Sequence, residues 1–269
     1  MWWALTIAAR QGSSRGVTRA LAFILATLFV SRAAAMVGDA PVIGASGLGR
    51  HVVMLVGSRG SFCSGTALAR DLVLSAVHCL PNGASYKLVD FSGGEPQLKS
   101  ILRIERHPAF TQRGMTTHRG TADVALVKLA APLPASIVPA ALGPSDLTVQ
   151  VGDAFTIVGY GITRHGDPRS GGKLRQARLV ATGRPDSMDV RLTDPATRNE
   201  RPGRGACTGD SGGPVFADIG GRAMVAGVIS WTTGPKYTAG CGGITGMTPL
   251  ARYHGWIVET ARKLGTALP

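Results

Sequence analysis

The run Gly209-Asp210-Ser211-Gly212-Gly213-Pro214 sets one hydroxyl among three glycines, which let a carbonyl group come close to bare backbone. A serine alcohol is almost wholly protonated at neutral pH. It attacks a carbonyl usefully only when a base takes its proton and donors receive the developing oxyanion. Ser75-Ala76-Val77-His78-Cys79 offers a base, with His78 placed after a short apolar run. Ala122-Asp123-Val124-Ala125-Leu126-Val127 offers an acid able to orient that base, with Asp123 opening a second apolar run. Singly, His78 reads as well as a structural histidine beside a cysteine, and Asp123 as a turn cap. Together, in the chain order His78, Asp123, Ser211, they describe acyl transfer through a serine.

These segments resemble the chymotrypsin-like serine peptidases, whose histidine lies in T/S-A-A/V-H-C, whose aspartate opens a D-hydrophobic-A-L strand and whose serine lies in G-D-S-G-G-P. The resemblance runs from about Met36 to the C-terminus and is to secreted members of bacterial type. It implies an endopeptidase acting on protein or peptide substrates through an acyl-enzyme on Ser211, with His78 as general base and acid and Asp123 as its orienter. It also implies an oxyanion hole from the N–H groups of Gly209 and Ser211. No cofactor and no metal is called for. The family's mature chain begins I-V-G-G and its new ammonium binds the acid before the serine, here Asp210. This chain instead has Met36-Val37-Gly38-Asp39 directly after Ala35, so removal of a leader would itself free the Met36 ammonium; Val42-Ile43-Gly44 is a second, less favoured start.

In the family the floor of the specificity pocket lies six residues before the serine. That position is Gly205, and no acid replaces it at Ala206 or between Cys241 and Pro249. A buried Lys or Arg of a substrate would stay unpaired, which is costly. Thr208, beside the nucleophile turn, and Ser230-Trp231-Thr232 complete the implied substrate-binding set. Thr232 stands where the family has glycine and narrows the entrance, and Gly246 keeps the opposite wall open. Small or medium apolar side chains are expected before the scissile bond. The competing function is a non-catalytic binding protein of the same fold that recognises anionic polymers.

The elements that position these groups read as all-β. Short apolar runs recur at Val52–Val56, Leu72–Ser75, Tyr86–Val89, Ile101–Ile104, Val124–Leu129, Phe155–Val158, Leu174–Val180, Pro214–Ala217 and Val225–Trp231, mostly bounded by turn formers. The resemblance makes of them two packed six-stranded antiparallel β-barrels, the first over about 36–140 and the second over about 145–248. Pro132, Pro134, Pro139 and Pro144 make strand continuation between them unfavourable. From Leu250 through Tyr253, Trp256, Ile257, Ala261 and Leu264 the apolar spacing turns helical, predicting a C-terminal amphipathic helix over about 250–264. It is expected to pack against the second barrel.

Residues 1–35 carry four arginines and no acid, then the apolar stretch Ala20–Val30 and a small-x-small ending at Ala33 and Ala35. The stretch falls short of the roughly 20 apolar residues that span a bilayer, so it reads as a secretory signal peptide, with an uncleaved membrane anchor as the alternative. The peptidase domain would then be 36–269, secreted or periplasmic, without a membrane span and monomeric. Losing those four arginines lowers the formal net charge from +13 to +9. The excess lacks the dense blocks and interleaved aromatics of nucleic-acid binding. Arg198, Arg201 and Arg204 cluster before Ser211, where a solvated loop is favoured over a rim for acidic substrates. Histidines other than His78 read as surface or turn residues. Cys63, Cys79, Cys207 and Cys241 allow three disulfide connectivities; the resemblance implies Cys63 with Cys79 and Cys207 with Cys241.

Overall fold

The computed structural model describes residues 36–91, 95–117 and 120–268. The signal-peptide reading of residues 1–35 lies outside them. Twelve strands close into two antiparallel barrels. The first uses β1 (Val52–Gly57), β2 (Phe62–Ala69), β3 (Leu72–Ser75), β4 (Tyr86–Asp90), β5 (Gln97–Arg106) and β6 (Ala125–Leu129), ordered β1-β2-β3-β6-β5-β4. The second uses β7 (Ala154–Gly159), β8 (Arg175–Thr182), β9 (Val190–Thr193), β10 (Pro214–Ile219), β11 (Arg222–Thr232) and β12 (Ile244–Pro249). Read around from β7, its order β7-β8-β9-β12-β11-β10 repeats that of the first barrel. Closure leaves no open sheet edge in either barrel.

The strands follow side-chain alternation. In β8, Arg175, Ala177, Leu179 and Ala181 are buried while Arg178 is exposed, the period-two pattern of a strand with one face in a core. Three strands lie where the sequence has no β-branched run. β2 is Phe-Cys-Ser-Gly-Thr-Ala-Leu-Ala, β9 has only four residues, and β12 mixes threonine, glycine and proline. Small residues suit these positions because barrel interiors are narrow.

Among the described residues two α-helices complete the fold, α1 (Gln112–Thr116) and α2 (His254–Lys263). The helix at the C-terminus forms, but its packing corrects the expectation: Tyr253, Ile257 and Ala261 join a core made mostly of first-barrel residues, which also takes in Phe216, Val225 and Val228 of the second. His107 explains the choice. Its ring meets Tyr253 at 5.0 Å and Trp256 at 4.8 Å. Past the helix, Thr266 bonds both Lys128 of β6, at 2.6 Å, and Asp71, at 2.9 Å. Among the described residues no helix is long and apolar enough to cross a membrane.

The segment from Met36 to Ala40 belongs to the second barrel. Met36 and Ala40 are fully buried in its core. Val37 bridges to Gly205, and Gly38 runs so close to Gly203 that an added Cβ would lie 2.4 Å from its carbonyl carbon. Val42 is instead exposed and pairs with Arg175.

Candidate active site

β3 ends at Ser75, and a short 3-10 turn over Val77–Cys79 follows, with His78 at its centre. Ser75 pairs with Ala125 of β6, so Asp123, two residues ahead of that strand, falls beside the turn. The His78 N–H donates to Asp123 Oδ1 at 3.0 Å, and His78 Nδ1 donates to Asp123 Oδ2 at 2.7 Å. An ionised carboxylate only accepts, so the Nδ1 proton is fixed and Nε2 keeps its lone pair. Ser230 Oγ donates to the same Oδ2 at 2.5 Å. Asp123 is fully buried. Burial pushes its pKa up, but the His78 charge and the hydrogen bonds from His78 and Ser230 outweigh this and hold it below the ordinary value.

The second barrel supplies the turn that carries Ser211, the candidate nucleophile, just before β10. Asp210 N–H bonds to Cys207 O, Gly212 N–H to Ile229 O and Gly213 N–H to Asp210 O. The N–H groups of Gly209 and Ser211 have no acceptor among the described residues. Gly209 has φ +94°, and a Cβ there would lie 2.1 Å from the Phe62 ring. Only glycine fits, on both backbone and steric grounds.

A short relay ties this turn to the histidine. Ser64 N–H donates to Ser211 O at 2.8 Å, and the neighbouring Cys63 is bridged to Cys79, next to His78. Gly212 crosses the same place, where a Cβ would lie 2.2 Å from Ser75 Oγ. The Ser211 hydroxyl makes no hydrogen bond to His78 or to any other described residue. Catalytic hydrogen bonds often tighten only once substrate is bound.

Asp210 is also fully buried, and its environment differs. Its Oδ1 accepts from Gly161 N–H at 2.8 Å and Oδ2 from Cys207 N–H at 2.9 Å. Burial dominates these bonds and the field of Arg175, lifting its pKa to about 7. Arg175 is itself buried and reaches Ala40 O at 3.2 Å, so it braces the inserted N-terminal segment beside this carboxylate.

The pocket walls are tighter than the sequence suggests. Thr232 of β11 and Thr245 of β12 are cross-strand partners. Thr232 Oγ1 donates to Ala206 O at 2.9 Å, while Thr245 Oγ1 accepts from Ala206 N–H at 3.0 Å. Gly246, expected to keep a wall open, instead seats the Trp231 indole: a Cβ there would lie 2.1 Å from Trp231 Cε2. Thr245 is the residue that faces Gly205, 3.3 Å from where its Cβ would be. It escapes notice in the sequence because one register step separates it from Gly246. Ser230 is not an open wall either, since its hydroxyl is committed to Asp123.

Thr208 and Thr232 line a cavity of about 420 Å³ together with Cys241, which is bridged to Cys207. Arg198, Arg201 and Arg204 are exposed and line no part of it. The nearest acid to the indole, Asp189, accepts from Trp231 Nε1 at 3.2 Å and faces Arg191 at 3.5 Å. Two clusters bring sulfur near imidazole, Cys63 and Cys79 around His78 and Cys207 and Cys241 around His165, but all four sulfurs are spent in disulfides. They cannot serve as thiolate ligands. Of the other histidines, His51 is buried rather than exposed, and His118 lies outside the described residues.

Residues 38–257 match the family described as Trypsin. The chain belongs to the trypsin family. Among curated trypsin-family relatives, human kallikrein-15 is 29% identical over 227 residues, covering 76% of this chain and 84% of its own length. Kallikrein-15 of Saguinus oedipus is 29% identical over 232 residues, with the same coverage. Among solved structures, human heparin binding protein superposes with a TM-score of 0.68 at 21% identity, covering 87% of this chain and 100% of that one. A second structure of that protein gives 0.66 at 20% identity, covering 84% and 97%. At such identity the superposition shows the trypsin-like fold alone. These relatives are mammalian and lend no support to a bacterial-type subdivision.

Proposed function

We propose that this protein is a serine endopeptidase. The observation that carries the reading is the network of partly exposed His78 with buried Asp123 and Ser230, lying beside a turn whose Gly209 and Ser211 N–H groups have no acceptor among the described residues. Ser211 Oγ attacks the peptide carbonyl carbon as its proton passes to His78 Nε2. The oxyanion forms against the two N–H groups. The C–N bond then breaks, the amine leaves with the proton from His78, and water repeats the sequence on the acyl-enzyme to release the acid. Asp123 holds the ring and stabilises the imidazolium throughout. All three groups are present, which favours catalysis over a purely binding role.

Residues 1–35 would direct export, and their removal would create an ammonium at Met36, already buried beside the Gly205 loop. That ammonium would pair with Asp210 and set the nucleophile turn without a separate activation cut. The two threonines and the lack of an acid at position 205 itself, with buried Asp194 already accepting from Arg204 N–H at 2.8 Å, favour small or medium apolar side chains before the scissile bond. A peptide-library digest tests both parts. Cleavage after small apolar residues, lost in Ser211→Ala, supports the reading; dominant cleavage after Arg or Lys refutes the specificity, and undiminished cleavage by Ser211→Ala refutes the mechanism.

A further inference from the structure

A cavity of about 790 Å³, larger than the one beside Thr208, shares no residue with the site above. Separate segments wall it: the turn ending at His51, the β2–β3 turn at Arg70, the linker between the barrels near Pro139, and the β10–β11 hairpin at Arg222. Arg50, Arg70 and Arg222 all line it, and among the described residues no acidic side chain does. Each of the three is exposed, and none is in an ion pair among the described residues.

Arg50 is held in place by a brace. His51 Nδ1 donates to Val138 O at 2.6 Å, which leaves Nε2 to accept from Arg50 Nε at 3.3 Å. The His51 ring is backed by Phe216 at 5.9 Å. The two terminal nitrogens of Arg50 therefore stay available to a ligand. The nearby acids do not balance the cluster. Asp71, next to Arg70, is engaged by Lys128 at 2.6 Å and by Thr266 at 2.9 Å. Asp218, below Arg222, accepts from Gly221 N–H at 2.8 Å.

We propose that this cleft is a binding site for a sulfate or phosphate ester. Planar guanidinium forks match the oxygens of such groups two at a time, and three of them around one cleft fit a ligand with several esters. No Phe, Tyr or Trp lines it, so nothing there stacks a nucleobase and the ester oxygens carry the recognition. The site is separate from peptide cleavage and stands whether or not the protein is a peptidase.

Calorimetric titration of the purified protein with a heparin-derived oligosaccharide and, separately, with inorganic tripolyphosphate tests this. At least one probe should bind, more weakly at about 200 mM than at about 50 mM salt. Binding of the sugar alone, of tripolyphosphate alone or of both supports the site and identifies the source of the ester. The variant R50Q/R70Q/R222Q should lose about a hundredfold or more in affinity, and Arg222→Gln alone, at an exposed hairpin, about tenfold. The equally charged control R169Q/R178Q/R184Q, at exposed arginines that do not line the cleft, should change affinity by less than about threefold, since only diffuse charge is lost. If the triple variant does not fold, the single variant decides. Equal losses in the cleft and control variants, an undiminished Arg222→Gln, or no binding of either probe would overturn the proposal.

Discussion

Asp123 and Asp210 are both fully buried carboxylates at the mouths of β-barrels, yet their environments drive them in opposite directions. Asp123 faces an imidazole and a hydroxyl, and its pKa falls. Asp210 is met mainly by backbone N–H groups, and its pKa climbs to about 7. A buried charge is tolerated when a partner is built in beside it. The first barrel carries that partner in its own fold. The second holds a place for one, since the inserted Met36 segment borders the same loops.

The largest effect should come from breaking the matched side. Asp123→Asn keeps the shape but loses the acceptor that fixes the His78 tautomer, and kcat on a peptide substrate should fall by about 10⁴. Asp210→Asn removes the acceptor proposed for a Met36 ammonium. With that pairing setting Gly209, kcat should fall by about a hundred- to a thousandfold, as for loss of one oxyanion donor.

Stability against pH sharpens the contrast further. With residues still attached before Met36, Asp210 binds a proton more tightly folded than unfolded. Its burial then costs nothing below the ordinary aspartate pKa, and stability drops as pH rises from about 4 to about 7, at about 1.4 kcal/mol per unit. A free Met36 ammonium should remove most of that slope. Asp123 acts with the opposite sign: its lowered pKa stabilises the fold above the ordinary aspartate value, and that contribution is lost as pH falls further. Urea unfolding across this range, with free and blocked N-termini, would show both limbs.

Smaller changes probe the surroundings of each carboxylate. Ser230→Ala should cut kcat by about tenfold by removing one charge-assisted hydrogen bond to Asp123. On the other barrel, Thr245→Gly should widen the pocket and shift preference toward larger side chains by about tenfold, with kcat on small substrates little changed.

The all-β architecture and the neighbourhood of His78 and Asp123 were legible in the sequence because apolar runs and flanking motifs coincide there. Less legible were features that depend on register. Thr245 and Gly246 differ by one position along β12, which decides which faces Gly205 and which lies under Trp231. β2 has Thr66 as its single β-branched residue and no run of them to mark a strand, although it carries Cys63 and Ser64, which link the two halves of the site. The docking of α2 on the first barrel depends on His107, more than 140 residues earlier in the chain, a contact that no local pattern encodes. Arg175 looks like an ordinary strand residue until its neighbour Gly159 is seen to lie against Asp210.

The most direct measurement is mass spectrometry of the intact protein after treatment with a fluorophosphonate, followed by mapping of the modified peptide. The account predicts one adduct, on Ser211, absent in Ser211→Ala and strongly slowed in His78→Ala. An adduct that persists in Ser211→Ala, or a fully folded protein that takes up none, would contradict it.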